Sequence, residues 1–491
     1  MKKHISIVLA VLVTTALNSV SLRILHTNDT HAAYQATDYK TSDGSTIRLG
    51  GYSALEYHLN QQRESISRSI YLDAGDQQTG SVFSSMEYEG LKGGAVLETF
   101  RLLRLDVATL GNHEFDISYE HARALVKSAA YPFVSANLLD SDHRSFGRAA
   151  YSTISFDSLD IGVIGLTLVE LPEKVKTENV APLTILPYKA ALDRILNEVD
   201  RNSDLIILLT HNGWEADSLL ATMLDDRVDM IIGGHSHIAI QELTQVNGIY
   251  ILSAGSHLMY LGAADIEVRD DRIASFASSL IPLSPPPEGY RSQLTEFIEE
   301  TAGELEVALG KVVGISPFAF TVDKYSVTPS SRWVAEALLK EYEDFAPDLA
   351  MINNGGLRKN IPAGPVTLRD LHEYIPFGNT VTFFSCYGRD ILTFDKYNLQ
   401  NAIHKPYDIL STSAPGWMYL EDNEAAVLVD QASYNLGKKI LEPDKIYRVV
   451  AHDYVVSQAD KYLGFRPFDI YDTGDLFLDA IIRQVEKQFS R

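Results

Sequence analysis

The fold is decided by two stretches of the sequence, Leu25-His-Thr-Asn-Asp-Thr-His31 and Gly111-Asn-His-Glu-Phe-Asp116. Each continues directly from a short apolar run, Leu22–Leu25 or Val107–Leu110, which predicts a buried strand. In open α/β sheets ligands gather beyond the carboxyl ends of the strands. The polar residues of the two stretches are therefore expected to meet at one edge of a sheet.

The same arrangement recurs along the first half of the chain. Further short apolar runs lie at Ile70–Leu72, Ile161–Leu166, Leu205–Leu209 and Met230–Ile232. Helix-like stretches separate several of the runs, at Ala54–Ile66, Gly94–Leu103 and Pro187–Val199. Short apolar runs that alternate with amphipathic segments predict an α/β domain with largely buried sheets.

Three more polar clusters directly follow such runs: Asp73-Ala-Gly-Asp76, Thr210-His-Asn212 and Gly233-Gly-His-Ser-His237. Taken alone, each cluster is typical of a turn or loop, and Asp73 is expected to support a ligand rather than to be one. Together the five clusters offer seven candidate ligands without sulfur: Asp29, His31, Asp76, Asn112, His211, His235 and His237. Oxygen and imidazole donors suit Zn²⁺, Mn²⁺, Fe or Co better than Ca²⁺ or Mg²⁺. Seven ligands exceed one tetrahedral site and favour two metals that share a carboxylate.

Composition bounds the remaining possibilities. The chain has 491 residues, a length that favours two or three domains. Its formal net charge is −23, and its 45% of hydrophobic residues is typical of a globular protein. The acidity argues against a general binder of nucleic acid or of acidic membranes. It leaves an anionic substrate open, because bound metal ions reverse the local charge. The single cysteine, Cys386, excludes an internal disulfide framework and a cysteine-based zinc site.

The first 21 residues have the layout of a secretory signal peptide. Lys2 and Lys3 precede the apolar run Ile5–Leu17, and small and polar residues follow at Asn18–Ser21. The run is too short to span a hydrocarbon core of about 30 Å. A buried first strand or an uncleaved anchor is the alternative. We expect cleavage after Ser19 or Ser21 and a soluble, exported protein without stable membrane insertion.

A break at Leu283-Ser-Pro-Pro-Pro-Glu-Gly289 separates two parts of the chain. The expected organisation is a metal-binding domain over residues 22–285, a connecting helical segment over 286–312 and a second domain over 313–491. The second part has a mixed pattern, with a helix predicted at Trp333–Tyr342 and a strand at Tyr447–Ala451.

The order of these motifs resembles the calcineurin-type metallophosphoesterases, and more narrowly the secreted 5′-nucleotidase family. The resemblance implies an N-terminal β-sandwich with flanking helices and a C-terminal mixed α/β domain that binds substrate. It implies two divalent ions (Zn, Mn, Co or Mg), one held by Asp29, His31, Asp76 and His237, and the other by Asp76, Asn112, His211 and His235. His113 and Asp116 match the catalytic dyad of the family.

The resemblance extends to the second domain. Ile352-Asn-Asn-Gly-Gly-Leu-Arg358 is similar to a substrate loop of the family and implies binding by Asn353, Gly355, Gly356 and Arg358. Phe377 and Tyr454 match the two aromatic residues that sandwich a nucleobase, although each is also compatible with an ordinary core position. Asp460 matches a ribose-binding carboxylate. The chain departs from the family at Lys324, where relatives have Arg, and at Gln458-Ala459, where they usually have Gly-Gly.

The resemblance implies an exported phosphohydrolase that cleaves nucleoside 5′-phosphates to nucleoside and phosphate by attack of a metal-bridged hydroxide. Its partner is a small nucleotide and not a nucleic-acid polymer, and domain rotation about residues 283–312 is expected. Hydrolysis of UDP-sugars or nucleoside diphosphates, and 2′,3′-cyclic phosphodiesterase/3′-nucleotidase activity, use the same kind of site. A manganese thiosulfohydrolase or a non-catalytic nucleotide-binding surface protein are further alternatives, and the oligomeric state stays open.

Overall fold

The computed structural model describes residues 19–40, 45–405, 407–413, 435–436 and 439–490. Most of the predicted signal peptide lies outside the described residues. Its last two residues, Val20 and Ser21, already belong to the first strand, where the Ser21 hydroxyl donates to Glu267 Oε1 at 2.5 Å. The leader itself stays a prediction.

The N-terminal unit is a β-sandwich with helices on its outer faces. Its strands are β1 Val20–Thr27, β2 Thr37–Lys40, β3 Thr46–Leu49, β4 Ser69–Asp73, β5 Glu87–Tyr88, β6 Leu91–Lys92, β7 Val107–Thr109, β8 Phe133–Val134, β9 Leu138–Leu139, β10 Tyr151–Phe156, β11 Leu159–Thr167, β12 Thr184–Ile185, β13 Leu205–His211, β14 Met230–Gly233, β15 Gln245–Val246, β16 Ile249–Leu252, β17 Tyr260–Arg269 and β18 Arg272–Pro282. Its helices are α1 Tyr52–Glu64, α2 Gly94–Leu102, α3 Tyr119–Ser128, α4 Leu171–Lys174, α5 Thr177–Val180, α6 Tyr188–Asp200, α7 Trp214–Ala221 and α8 Gln293–Leu309.

Two six-stranded sheets form the sandwich, in the orders β18-β17-β1-β4-β7-β8 and β10-β11-β13-β14-β16-β15. A core that includes Leu22, Ile24, Ile161 and Ile207 lies between them. Leu25 belongs to a separate core that the first sheet shares with its helices, because successive side chains of a strand point to opposite faces. Burial on both faces explains the continuous apolar runs, and it confirms the predicted sandwich with flanking helices.

Strand direction brings the polar clusters together. In the first sheet β1 runs parallel to β4, and β4 runs parallel to β7. In the second sheet β13 and β14 are parallel neighbours. The clusters that follow these five strands therefore emerge at one end of the sandwich, as the sequence predicts.

The C-terminal unit is a mixed α/β layer structure. Its described strands are β19 Val312–Ser316, β20 Leu349–Asn353, β21 Gly364–Thr367, β22 Thr380–Tyr387, β23 Leu410–Thr412, β24 Asn435–Leu436, β25 Lys439–Ile440, β26 Ile446–His452 and β27 Phe468–Leu476. Its helices are α9 Pro329–Glu341, α10 Leu368–Tyr374, α11 Gly388–His404, α12 Asp453–Ser457, α13 Ala459–Tyr462 and α14 Phe477–Gln488. A five-stranded sheet, β23-β20-β26-β22-β27, has an apolar core on each face, one that contains Val450 and one that contains Val449.

The predicted connecting helix is α8, and it is packed against the N-terminal unit. Leu294, Ile298 and Ala302 of this helix belong to the same core as Leu25. The two units also contact each other directly, because Arg369 donates to Tyr34 Oη at 2.6 Å. None of the described helices has the length and apolar character needed to cross a membrane.

Candidate active site

The loops at the sandwich edge hold an unusual backbone conformation. Five of the seven candidate ligands have a positive φ, between 49° and 76°: Asp29, His31, Asp76, His235 and His237. Residues other than glycine rarely adopt this left-handed backbone conformation, and those that do cluster at functional sites. The loops are therefore built to direct these side chains toward one point at the expense of local backbone strain.

The candidate ligands form two groups. One ligand atom from each of Asp29, His31 and His237 lies within 4.8 Å of the others, and Asp76, His211 and His235 are related in the same way. Asp76 stands between the groups, with its Oδ2 3.2 Å from His211 Nε2 and 4.0 Å from His31 Nε2. This is the position that a shared carboxylate requires.

The donor atoms fit divalent cations. The Nδ1 atoms of His31 and His211 lie 2.9 Å and 2.7 Å from backbone oxygens, so Nδ1 is the donor and Nε2 is the atom that is left to bind a cation. The Oδ1 of Asn112 is buried and has no hydrogen-bond partner among the described residues, and the buried Nε2 of His211 has no well-aligned one, although Asp76 Oδ2 lies 3.2 Å away. Buried polar atoms normally have a partner, and a cation would supply it here.

The pKa values of His31, His235 and His237 agree with this fit, since burial lowers all three. Burial, with the neighbouring imidazole of His257, lowers the pKa of His237 to about 2, and burial with His211 lowers the pKa of His235 to about 3. Neutral imidazole is the form that binds metal. Burial opposes ionisation of Asp76, but the imidazoles of His211 and His113 outweigh it and hold the pKa of this carboxyl well below its usual range. His211 differs, because the carboxylates of Asp76 and Asp29 outweigh its burial and raise its pKa to about 10. A cation bound at His211 would therefore displace a proton from its Nε2.

Glu114 holds the ligand loops together, although the sequence alone offered no reason to include it in the site. Its buried carboxylate accepts from the backbone N–H groups of Asp76, Gln77, Gln78 and Gly111, at 2.7–3.2 Å. It therefore joins the loop after β4 to the loop after β7. The only signal in the sequence is a carboxylate between His113 and an apolar residue, which a lone sequence does not distinguish from a solvated loop position.

His113 and Asp116 form a close pair at the rim of this centre. His113 Nδ1 lies 2.7 Å from Asp116 Oδ2, and His113 Nε2 lies 3.9 Å from Asp76 Oδ2. Burial lowers the pKa of His113, but the carboxylates of Asp116 and Asp76 outweigh it, so its pKa is raised. The pair is thus arranged for Nδ1 to donate to the carboxylate while Nε2 faces the candidate ligands.

The C-terminal unit supplies the opposite wall. Asn353, Gly355, Gly356 and Arg358 line a cavity of about 400 Å³ together with Asp76, Asn112, His113, Asp116, His235 and His237. Asn353 is held from two sides, because its Nδ2 donates to Asp408 at 3.1 Å and its Oδ1 accepts from His452 Nε2 at 2.8 Å. Asp408 also accepts from the backbone N–H of Gly355 at 2.8 Å and thereby fixes the glycine loop.

Two aromatic rings lie on this wall. Phe377 and Tyr454 are both partly accessible and both line the cavity. Phe377 is absent from the apolar cores of the described residues. Its ring stacks at 5.8 Å and 26° on that of His113, and the Arg358 guanidinium lies 5.6 Å from its centroid. Phe377 is thus a cavity residue rather than an ordinary core residue.

Cationic side chains from both units line the cavity: Arg358, Lys174, Lys176, Lys324 and Lys461. Arg358 and Lys324 are among the residues the sequence analysis named, whereas the other three lysines are not. Asp460 is the one predicted substrate residue that the structure places elsewhere, in a neighbouring depression with Gln458 and Arg466. The carboxylate that faces the main cavity from this side is Asp408.

Comparison with known proteins agrees with this two-part site. Residues 22–239 match the family model of the calcineurin-like phosphoesterases, and residues 301–466 match that of the 5′-nucleotidase C-terminal domain. The chain is 25% identical to the trifunctional nucleotide phosphoesterase protein YfkN of Bacillus subtilis, over 90% of this chain and 32% of that protein. It is 24% identical to a 5′-nucleotidase of Vibrio parahaemolyticus, over 90% of this chain and 84% of that protein.

The fold is that of solved structures with the same two parts. The crystal structure of a 5′-nucleotidase precursor from Thermus thermophilus superimposes with a TM-score of 0.79 at 21% identity, over 96% of this chain and 97% of that one. The family and the fold expected from the motifs are thus confirmed. The chain belongs to the calcineurin-like phosphoesterases that carry a 5′-nucleotidase C-terminal domain.

Proposed function

We propose that this protein hydrolyses nucleoside 5′-phosphates to nucleoside and phosphate outside the cytoplasm. The observation that carries the proposal is a single cavity with two chemically different walls. One wall presents Asp76 and His113 of the phosphoesterase domain, and the other presents Arg358 and two accessible aromatic rings. A nucleotide has the matching parts, a phosphate at one end and a planar base at the other.

The metal side is proposed to hold two divalent ions, Zn, Mn, Co or Mg. One ion is assigned to Asp29, His31, Asp76 and His237, and the other to Asp76, Asn112, His211 and His235. Bound divalent ions supply activated water and positive charge for the phosphoryl oxygens in this kind of reaction. The buried Nε2 of His211 and Oδ1 of Asn112, which lack a well-aligned hydrogen-bond partner among the described residues, support the assignment.

His113 and Asp116 are proposed as the catalytic dyad. The raised pKa of His113 favours a protonated imidazole that donates from Nε2 to a phosphoryl or leaving-group oxygen. Asp116 fixes the ring through the 2.7 Å contact with Nδ1.

Substrate recognition is assigned to the C-terminal wall. Phe377 and Tyr454 sandwich the base, and Arg358 and Lys324 attract the phosphate, with Asn353, Gly355 and Gly356 forming the loop between them. The ribose hydroxyls were expected to bind Asp460. Because Asp460 lies outside the main cavity, we assign the ribose to Asp408 instead.

Phosphate release by the mature protein, reconstituted with metal, tests the proposal. The panel comprises AMP, 3′-AMP, ADP, ATP, 2′,3′-cyclic AMP, UDP-glucose and bis-p-nitrophenyl phosphate, with a phosphatase added in a second step to reveal hidden monoesters. Strong release from AMP is the expected result. No hydrolysis of any nucleotide by protein that binds its metals would overturn the proposal and point to another phosphate or sulfur ester, or to nucleotide binding alone.

Hydrolysis of nucleotide diphosphates or UDP-sugars is the second candidate. The observation that favours it is the abundance of cations, because Lys174, Lys324 and Lys461 line the cavity in addition to Arg358. A second phosphate would meet positive charge there. The UDP-glucose and ADP reactions of the same panel decide between a narrow and a broad substrate range.

Export rests on the N-terminal sequence. A leader that ends at Ser19 would leave β1 intact from Val20, whereas cleavage after Ser21 would remove two of its residues. We therefore favour cleavage after Ser19. The N-terminal residue of protein secreted by the producing cell, read by mass spectrometry, tests both the leader and its end.

A further inference from the structure

The helix that carries Tyr454 and the helix that follows it rest on one short segment of the phosphoesterase domain. The segment is Pro172–Thr177, which comprises most of α4, the two residues that follow it and the first residue of α5. We name it the clasp segment. The helices are α12 and α13. Lys174, Val175 and Lys176 of the segment also line the cavity, so one segment contacts both the proposed substrate space and the helices α12 and α13.

Gln458 makes the central contact between these parts. Its side chain lies between α12 and α13, and only 7% of the residue is exposed. The Nε2 amide donates to Val175 O at 2.9 Å, to Pro172 O at 3.1 Å and to Thr177 Oγ1 at 3.2 Å. The two N–H groups of this amide thus serve three acceptors, with one N–H shared between two of them, and a glycine at this position has no side chain to make these contacts.

Three further contacts surround this one. Lys176 forms an ion pair with Asp453. Lys461 Nζ donates to Glu173 O at 3.1 Å, and the Tyr454 hydroxyl donates to the same oxygen at 3.3 Å. The ring that is proposed to stack on the base is therefore itself tied to the clasp segment. Removal of Gln458 would leave buried acceptors unpaired beside it, which is costly in a water-poor interface.

We infer that Gln458 is a positioning residue for nucleotide substrates. In the domain arrangement of this structure, its amide holds the Tyr454 ring next to the phosphoesterase domain by joining α12 and α13 to the clasp segment. The inference rests on the proposed function, since it assigns Tyr454 to the base. It also predicts that Gln458 has little effect on the hydrolysis of a small phosphate ester, because such a substrate does not reach Tyr454.

Steady-state kinetics test the inference with Gln458→Gly and Gln458→Glu. The second variant keeps the side-chain size but replaces the donor by an acceptor. Both are expected to lower kcat/KM for AMP about tenfold, mainly through KM, and to leave kcat/KM for p-nitrophenyl phosphate within about twofold. The matched control is Gln400→Ala, an exposed glutamine on α11 of the same domain, which should behave as wild type. Equal losses on AMP and on p-nitrophenyl phosphate, or no loss on either, would overturn the inference.

A distance measurement keeps the test independent of activity. Spin labels on Leu219→Cys in α7 and Ile470→Cys in β27 report the separation of the two domains, since both positions are exposed. The native Cys386 is buried and should stay unlabelled. The Gln458→Glu change is expected to broaden the distance distribution, and an unchanged distribution would count against the clasp. If the wild type hydrolyses no nucleotide but the distribution broadens, the proposed function fails while the clasp stands.

Discussion

The two walls of the cavity are built in different ways. On the metal wall, Asp29 and His211 are fully buried, and loops with a strained backbone are held in place by the four N–H groups that donate to Glu114. On the substrate wall, partly exposed side chains such as Phe377 and Tyr454 depend on contacts between domains. The metal wall is therefore the more rigid part and is expected to act on any phosphate group. The side chains of the substrate wall are freer to adjust and are expected to select the substrate. Changes on the metal wall should affect every substrate, and changes on the substrate wall that touch only the base, such as those at Tyr454, should affect nucleotides alone.

The strongest test of the metal wall is Asp76→Ala. Loss of the carboxylate that stands between the two ligand groups should lower turnover of all substrates by on the order of 10³-fold and reduce the bound metal. Phosphate release and elemental analysis of the purified protein measure the two effects. The control is Asp193→Ala, a carboxylate on α6 whose side chain is 63% exposed. Full metal content with normal turnover in Asp76→Ala would remove Asp76 from the centre.

His113→Ala separates catalysis from metal binding on the same wall. Because the imidazole is proposed to donate a proton rather than to hold metal, turnover should fall by about 10²–10⁴-fold while the metal content stays near that of the wild type. Asp116→Asn should produce a smaller loss, since it disturbs only the partner of Nδ1. Wild-type turnover in His113→Ala would contradict the dyad assignment.

The same division explains what the sequence could predict. The ligands of the metal wall follow strands directly, so their order in the chain and the parallel register of β1, β4 and β7 already place them at one edge. Glu114 escaped prediction because its partners are backbone N–H groups, which leave no trace in residue identity. The family and the sandwich were predictable from these local motifs.

The substrate wall was harder to predict because its residues meet only through tertiary contacts. Asp408 lies about fifty residues from the loop that it fixes through Gly355, and nothing in the sequence around it signals this contact. Asp460 was assigned to the ribose from the family resemblance, but in the structure it lies on α13 and lines the neighbouring depression instead of the main cavity. Gln458 was noticed as a departure from the family, whereas its three acceptors on the other domain could not be foreseen.

Tyr454→Leu is the most direct test of base stacking on the substrate wall. Loss of one stacking face should raise KM for AMP by about 10- to 100-fold and leave p-nitrophenyl phosphate unaffected. Phe377→Ala is expected to raise KM for AMP as well, but its ring also stacks on His113, so some loss on the aryl phosphate is predicted there. Equal losses on both substrates in Tyr454→Leu would place this ring in the structural core.

A paired comparison decides which carboxylate serves the ribose. Asp408→Asn should lower kcat/KM for AMP by about tenfold, because the neutral amide weakens both the hold on the glycine loop and the proposed acceptance from ribose hydroxyls. Asp460→Asn should change it by less than about twofold. The preference for AMP over 2′-deoxy-AMP, measured in both variants, should fall only in Asp408→Asn. If the preference fell only in Asp460→Asn, Asp460 would be the residue that binds the ribose, and the turn between α12 and α13 would have to rearrange when the substrate binds.

The smallest expected effect is a pH dependence confined to the substrate wall. Burial and the nearby ammonium groups of Lys174 and Lys324 lower the pKa of Lys461 to about 8, against the opposing carboxylates of Asp408 and Glu173. Lys461 is therefore charged below about pH 8 and neutral above it. KM for AMP should rise about two- to fivefold as the pH passes through 8, because the cavity loses one cation that attracts the phosphate.

The Lys461→Met variant should lack this inflection. Folding stability should change in the opposite sense, because the folded pKa lies below the ordinary value of 10.5. Between about pH 8 and 10.5 the unfolded chain binds more protons at this residue than the folded one, so the contribution of Lys461 to stability rises with pH. Thermal unfolding of both proteins across this range should show the stability of the wild type rising relative to that of the variant as the pH increases. A wild type that loses AMP affinity and relative stability together would show a different cause, such as general loosening of the domain contact, and not the titration of one buried ammonium group.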